Sequence, residues 1–211
     1  MRVVLTGSTG GIGSSIAHKC KSTNIDTIEI SRNDCDLSKN IKYTNENIDG
    51  LIYCAGVNDP KPYHEYTEID LQNIFKINAL SFVELCKNIK FNTEANIIAI
   101  GSIYATESRV GRLAYAMSKH AMYGAVKTLA IEMSVNKIKV NMISPGFVLT
   151  NLTKKNNSIE RLDFLNQSIP LGMTEPSDIA DMCIFMLRNR NMTGQNIIID
   201  GGYSLLGIYN E

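Results

Sequence analysis

The sequence has no tryptophan, and only three histidines, five prolines and five cysteines in 211 residues. Each scarcity excludes something. Cys20, Cys35, Cys54, Cys86 and Cys183 form no Cys-x-x-Cys pair, and His18, His64 and His120 are equally scattered. Neither a disulfide scaffold nor a metal-ligand spacing is present, so no metal site is expected. The cysteines read as reduced thiols packed like small apolar side chains. An excess of one charge is also missing: 21 basic residues balance 21 acidic ones, for a formal net charge of +0. A chain built to coat nucleic acid or an anionic membrane needs a basic surplus, so neither partner is expected. No apolar run approaches the roughly 20 residues that cross a bilayer. The opening residues Met1–Gly11 lack the apolar core and cleavage site of a signal peptide. The expectation is a cytoplasmic protein with no leader.

What is present is an ordinary globular composition, 44% hydrophobic and 20% charged. The length suits one domain, 1–211, with a single sizeable core. Short runs rich in Val and Ile occur at Val3–Thr6, Thr27–Ile30, Leu51–Cys54, Asn96–Ile100, Lys139–Ile143 and Asn196–Ile199. Apolar on both faces, they read as buried parallel strands. Helical patterns lie between them, at Gly13–Ser22, Ile69–Ile89, Leu113–Asn136 and Pro176–Arg188. Pro176 stands where a first helical turn tolerates proline. This alternation predicts an α/β fold, with helices on both faces of a parallel sheet. One crossover is too short. Only Ser31–Cys35 separate Ile30 from Asp36, and a parallel crossover needs about a dozen residues. The third strand and its helix are therefore expected to be reduced or absent after Ile30.

The first strand runs into Thr6-Gly7-Ser8-Thr9-Gly10-Gly11-Ile12-Gly13 and then a helix. Glycines allow a tight turn and close approach of a ligand. The helix start offers free N–H groups and a positive dipole end, which suits a pyrophosphate. The spacing departs from the plain Gly-x-Gly-x-x-Gly pattern, so it is the position between strand and helix that argues for a nucleotide.

Thr6-Gly7-x-x-x-Gly11-x-Gly13 together with Tyr115-x-x-x-Lys119 resembles the short-chain dehydrogenase/reductase family. The likeness continues in order along the chain, through Ala55-Gly56, Asn78, Ser102, the segment Asn141 to Thr150, Thr193-Gly194-Gln195 and Asp200-Gly201-Gly202. It implies a Rossmann-like doubly wound sheet, a nicotinamide cofactor, and hydride transfer between a carbonyl and an alcohol. It assigns catalysis to Asn78, Ser102, Tyr115 and Lys119. The cofactor falls to Gly7, Thr9, Gly11, Ile12 and Gly13 at the phosphates, and to Arg32, Asp36 and Leu37 at the adenosine. Cys54, Ala55 and Gly56 flank it, with Tyr115, Lys119, Pro145, Gly146, Val148 and Thr150 at the nicotinamide side. Tyr53-Cys54 stands where the family commonly has Asn-Asn.

Four residues apart on a helix, Tyr115 and Lys119 share a face. A free tyrosine titrates near 10, and a neighbouring ammonium is expected to lower that value. Tyr115 then donates a proton to a carbonyl or takes one from an alcohol. By the resemblance, Ser102 holds the substrate oxygen, Lys119 the ribose, and Asn78 a water leading to solvent. Tyr104 is a candidate pocket wall, and His120 reads as helix surface or interface.

The second strand ends in Ser31-Arg32, without an acidic residue there for a ribose 2′-hydroxyl. Arginine binds a 2′-phosphate well, so NADP is expected, with NAD as the alternative, since Asp34 lies close by. The expected activity is NADP(H)-dependent reduction of a ketone, of 3-oxoacyl or sugar-like type, to a secondary alcohol. The alternatives are an NAD-dependent alcohol or sugar dehydrogenase and a cofactor-binding regulator without turnover. Residues 149–172 resemble a mobile substrate lid, in which Lys154 and Lys155 are candidates to meet an anionic substrate. The resemblance implies a homodimer or homotetramer through the two long helices and the C-terminal strand, and both helices and the Asp200–Glu211 tail are present.

Overall fold

The computed structural model describes residues 1–39 and 41–206. Six parallel strands form one sheet: β1 (Arg2–Thr6), β2 (Asp26–Ile30), β3 (Asn45–Tyr53), β4 (Ile89–Ile100), β5 (Lys139–Pro145) and β6 (Asn196–Ile199). Their order is β2-β1-β3-β4-β5-β6. β3 and β4 begin earlier than their apolar runs, and their register shifts between the pairs Ile48–Phe91 and Gly50–Asn96.

Side chains alternate across the sheet, so each strand feeds two cores. Val3, Leu5, Ile52, Ile98 and Ile143 face α1 (Gly11–Ser22) and α7 (Pro176–Arg188). Val4, Leu51, Tyr53, Ile97 and Val140 face the opposite helices. These are α2 (Glu68–Phe75), α3 (Ser81–Asn88) and α4 (Leu113–Glu132). The Asp178 capping box and Pro176 start α7 where the sequence predicted it. The single helix expected over Ile69–Ile89 is instead α2 and α3 joined by a π-helical turn, Lys76–Leu80, with Asn78 inside it. Such turns insert one residue into the helical ladder and redirect side chains.

Residues 31–44 pass from β2, on one side of β1, to β3 on the other, and among the described ones none is helix or strand. The expected reduction after Ile30 is therefore complete. The strap still covers the sheet, because Cys35 and Ile41 are buried and Leu37 and Tyr43 pack against the same core. Ser81 Oγ donates to Leu37 O at 2.7 Å and Asn88 Nδ2 to Ile41 O at 3.0 Å, so the strap's carbonyls are paired without a helix. β2 is left as the sheet edge.

Candidate active site

The C-terminal ends of the strands, where ligands bind in doubly wound sheets, carry the predicted residues. Gly7 leaves β1 with φ +69°, and a Cβ there would lie 2.8 Å from Ala55 N. At Gly13 a Cβ would lie 2.0 Å from Gly7 O. Only glycine lets the turn close against α1 and against the end of β3. A cleft of about 540 Å³ runs along this turn. Gly7, Thr9, Gly11, Ile12 and Gly13 form its floor, and Cys54, Ala55, Gly56 and Thr150 its wall. Arg32, Asp36 and Leu37 close its far end. A glycine-walled cleft at a helix N-terminus fits a dinucleotide.

Thr6 was quoted in the motif but given no role, and it has one. Its Oγ1 accepts from Cys54 N at 3.0 Å and Ala55 N at 3.1 Å, holding the end of β3 against β1. Tyr53, in place of the family's asparagine, donates its hydroxyl to Ile77 O in the π-helical turn. Its ring packs on Phe82 with centroids 5.6 Å apart. The central strands are thus steadied by Thr6 and Tyr53.

At the adenosine end, Asp34 accepts from Ser31 N at 2.9 Å and from Ser31 Oγ at 2.6 Å. These bonds hold its carboxyl below the usual range. Asp34 is occupied by the turn and does not line the cleft, whereas exposed Arg32 does.

A second cavity of about 130 Å³ adjoins the cleft and shares Ile12, Thr150 and Leu152 with it. Ser102 and Tyr115 line it, as do Pro145, Gly146 and Val148. Ser102 sits just past β4, where its Oγ accepts from Tyr104 N at 3.3 Å. Tyr104 also lines the cavity, edge-on to Tyr115 with centroids 6.2 Å apart. His120 is exposed, its Nδ1 3.0 Å from Ala116 O. Lys119 is only 3% exposed and lies behind Tyr115, its Nζ 5.6 Å from the ring centroid. That Nζ donates to Ile100 O at 2.9 Å.

Asn78 is fully buried. Its Oδ1 accepts from Val57 N at 2.8 Å, and its Nδ2 donates to Val57 O and Ser118 Oγ, both at 2.9 Å. The side chain clamps the cleft wall to α4. Both it and Lys119 face the open side of Gly56, where a Cβ would lie 3.4 Å from Asn78 Oδ1 and 3.7 Å from Lys119 Nζ.

The charge balance corrects one expectation. Tyr115 is not lowered overall: burial pushes it up to about 12, opposed by its hydrogen bond with Ser102 and by the Arg112 guanidinium. Burial also lowers Lys119, to about 8. The ammonium that was expected to activate the tyrosine is itself weakened by the same dry environment.

The lid region 149–172 contains α5 (Asn151–Lys155) and α6 (Ile159–Ser168). Leu152, Thr153, Asn156 and Asn157 reach the cavity, while exposed Lys154 and Lys155 do not line it. Sequence reasoning missed Asn58, Arg112 and Phe147, which do. No motif marks Asn58 or Phe147, and Arg112 stands just before the helix expected from Leu113, so helical spacing did not mark it either.

The fold and these residues define a class. The chain belongs to the short-chain dehydrogenase/reductase family, whose members are NAD(P)-dependent oxidoreductases acting on CH–OH or C=O groups. The family model described as enoyl-(acyl carrier protein) reductase matches residues 31–204. Carbonyl reductase family member 4 of Xenopus laevis is 29% identical over 230 residues, covering 94% of this chain and 96% of the relative. The 3-oxoacyl-(acyl-carrier-protein) reductase of Buchnera aphidicola is 27% identical over 235 residues, covering 96% of each. Among solved structures, a putative NAD(P)-dependent gluconate 5-dehydrogenase from Beutenbergia cavernae superposes with a TM-score of 0.88 at 22% identity, covering 97% of this chain and 96% of the other. The likeness to that structure shows the shared fold. Among the described residues, no helix is long and apolar enough to cross a membrane.

Proposed function

We propose that this chain reduces a ketone to a secondary alcohol with NADP(H), in one catalytic domain. The observation that carries this reading is the meeting of Ser102 and Tyr115 in one cavity that opens onto the glycine-walled cleft. A bound nicotinamide supplies the hydride. Ser102 holds the substrate oxygen in line, and Tyr115 gives that oxygen its proton. Buried Tyr115 is protonated at neutral pH, as a proton donor must be. Lys119 is assigned the ribose and Asn78 a water that leads to solvent, and both side chains face Gly56.

Arg32 supports NADP. It lines the cleft at the end of β2, and of the two nearby acids Asp34 is bound to Ser31 and Asp36 to Ser38. Titration with NADPH and NADH tests the choice. NADPH is expected to bind at least about tenfold tighter, the size of one charge-assisted bond, and Arg32→Ala to remove the difference. Equal binding in the unaltered protein points to the NAD-dependent alternative.

The chain is further proposed to form a homo-oligomer through α3, α4 and β6. Leu80, Met117, Ile131 and Ile198 leave apolar surface exposed there. Residues 207–211 of the expected contact tail lie outside the described residues. A monomer by light scattering refutes this assembly.

A further inference from the structure

The small cavity has an unusual wall. Three buried polar atoms without hydrogen-bond partners, Asn58 Oδ1, the Tyr104 hydroxyl and Arg112 Nη1, belong to residues that line it. Native proteins leave few such atoms, and a cluster of them in one cavity calls for a ligand.

Arg112 is the costliest of the three. It is 7% exposed and has no ion-pair partner among the described residues. It occupies the N-cap of α4 without making a side-chain cap, and the first turn of that helix holds no acidic residue. A cation at a helix N-terminus opposes the dipole, where a carboxylate or a small cap is favoured. The nearby Arg109 adds positive charge, and burial weakens the Arg112 cation. Burial, dipole and like charge all act against this guanidinium, and among the described residues no anion offsets them.

We propose that Arg112, with Tyr104, forms a carboxylate subsite beside Asn58, so that the substrate is a short oxo acid or hydroxy acid. This rests on the reading of the site as an oxidoreductase and names its substrate class. The enclosed part of the cavity suits a small group. A cavity of about 150 Å³ takes a benzene ring, so about 130 Å³ holds a compact fragment. A single guanidinium fork and a phenol match the planar, singly charged carboxylate. A phosphate dianion calls for more cations, and Lys154 and Lys155 do not line the cavity. Asn58 Oδ1 is left to accept from a substrate hydroxyl.

The test compares pyruvate, acetoacetate and levulinate, each beside its primary amide, which keeps the shape and removes the charge. Turnover is measured with NADPH and NADH, and the melting temperature with each compound. For at least one pair, kcat/KM is expected to favour the acid about tenfold or more, and Arg112→Met to reduce that ratio to near one. The ratio is the readout because Arg112 also acts on Tyr115, so absolute rates change for both compounds. Arg112→Lys, which keeps the charge and loses the fork, is expected to retain part of the preference, and it serves if the methionine variant does not melt cooperatively. Turnover without discrimination overturns the subsite and leaves the oxidoreductase reading standing. If nothing is turned over, a rise in melting temperature given by an acid but not its amide, and lost in the Arg112 variants, supports the subsite and sinks the proposed activity. With neither turnover nor an acid-specific rise, the subsite is overturned.

Discussion

Asn78 donates a hydrogen bond to Ser118 Oγ at 2.9 Å, joining the π-helical turn to the residue beside Lys119. The same amide pairs with both backbone groups of Val57, so one side chain sets the spacing between the cleft wall and α4. Asn78→Ala leaves the Val57 N–H and C=O without their partner in a buried site. The expected loss is about 2–4 kcal/mol, read as a lower urea midpoint with unchanged slope. A change within measurement error means that the clamp is dispensable.

Thr6 offers a sharper comparison. Thr6→Val keeps the shape and removes the acceptor for Cys54 N and Ala55 N. Stability is expected to fall by about 1–3 kcal/mol. Thr6→Ser, which keeps the hydroxyl, is expected to retain most of it. Thermal melts of the three proteins decide, and a loss for serine with none for valine would mean that the methyl group matters rather than the bond.

Tyr115→Phe removes the proton and little else. Its kcat is expected to drop by about 10²–10⁴, the usual worth of a positioned acid. Circular dichroism should show an unchanged fold. Retention of full turnover places the proton donor elsewhere.

Lys119 ties chemistry to pH. Its amine titrates near 8 in the fold, against 10.5 for an ordinary lysine. Below about 8 the folded protein carries a buried cation at a cost. Between the two values the unfolded chain binds the proton and the folded one does not, so this group's contribution to stability rises with pH. Lys119→Met lacks this dependence. Relative to that variant, the unaltered protein should gain stability from pH 8 to pH 10. The gain over that interval is of order 2 kcal/mol. Parallel pH-stability curves for the two proteins refute the shift.

Much of this site could be read from the chain in one dimension. Gly7, Gly11, Gly13, Tyr115 and Lys119 lie in short motifs whose spacing follows from a turn or a helical period, Ser102 is placed by the family resemblance, and all lie at the strand ends. The shortened segment after Ile30 was legible from residue count alone. The strap that replaces it was not, because it depends on the contacts of Cys35 and Ile41 with β-strands distant in sequence. The π-helical turn escaped for a related reason. Its residues continue an ordinary apolar pattern, and the turn is recognised by its backbone hydrogen bonds and by the side chains that meet it, Tyr53 and Ser118.

The sequence by itself determined the alternation of strands and helices and the glycine turn, because those rest on local periodicity and backbone permission, while the candidate reacting groups rest on the family resemblance. Only the tertiary structure decided the electrostatics around them. Burial raised Tyr115 and lowered Lys119, the Ser31 turn engaged Asp34, and Arg112 was enclosed without an anion. Proton affinity and charge pairing depend on what surrounds a group in three dimensions, and those surroundings come from residues far apart in the chain.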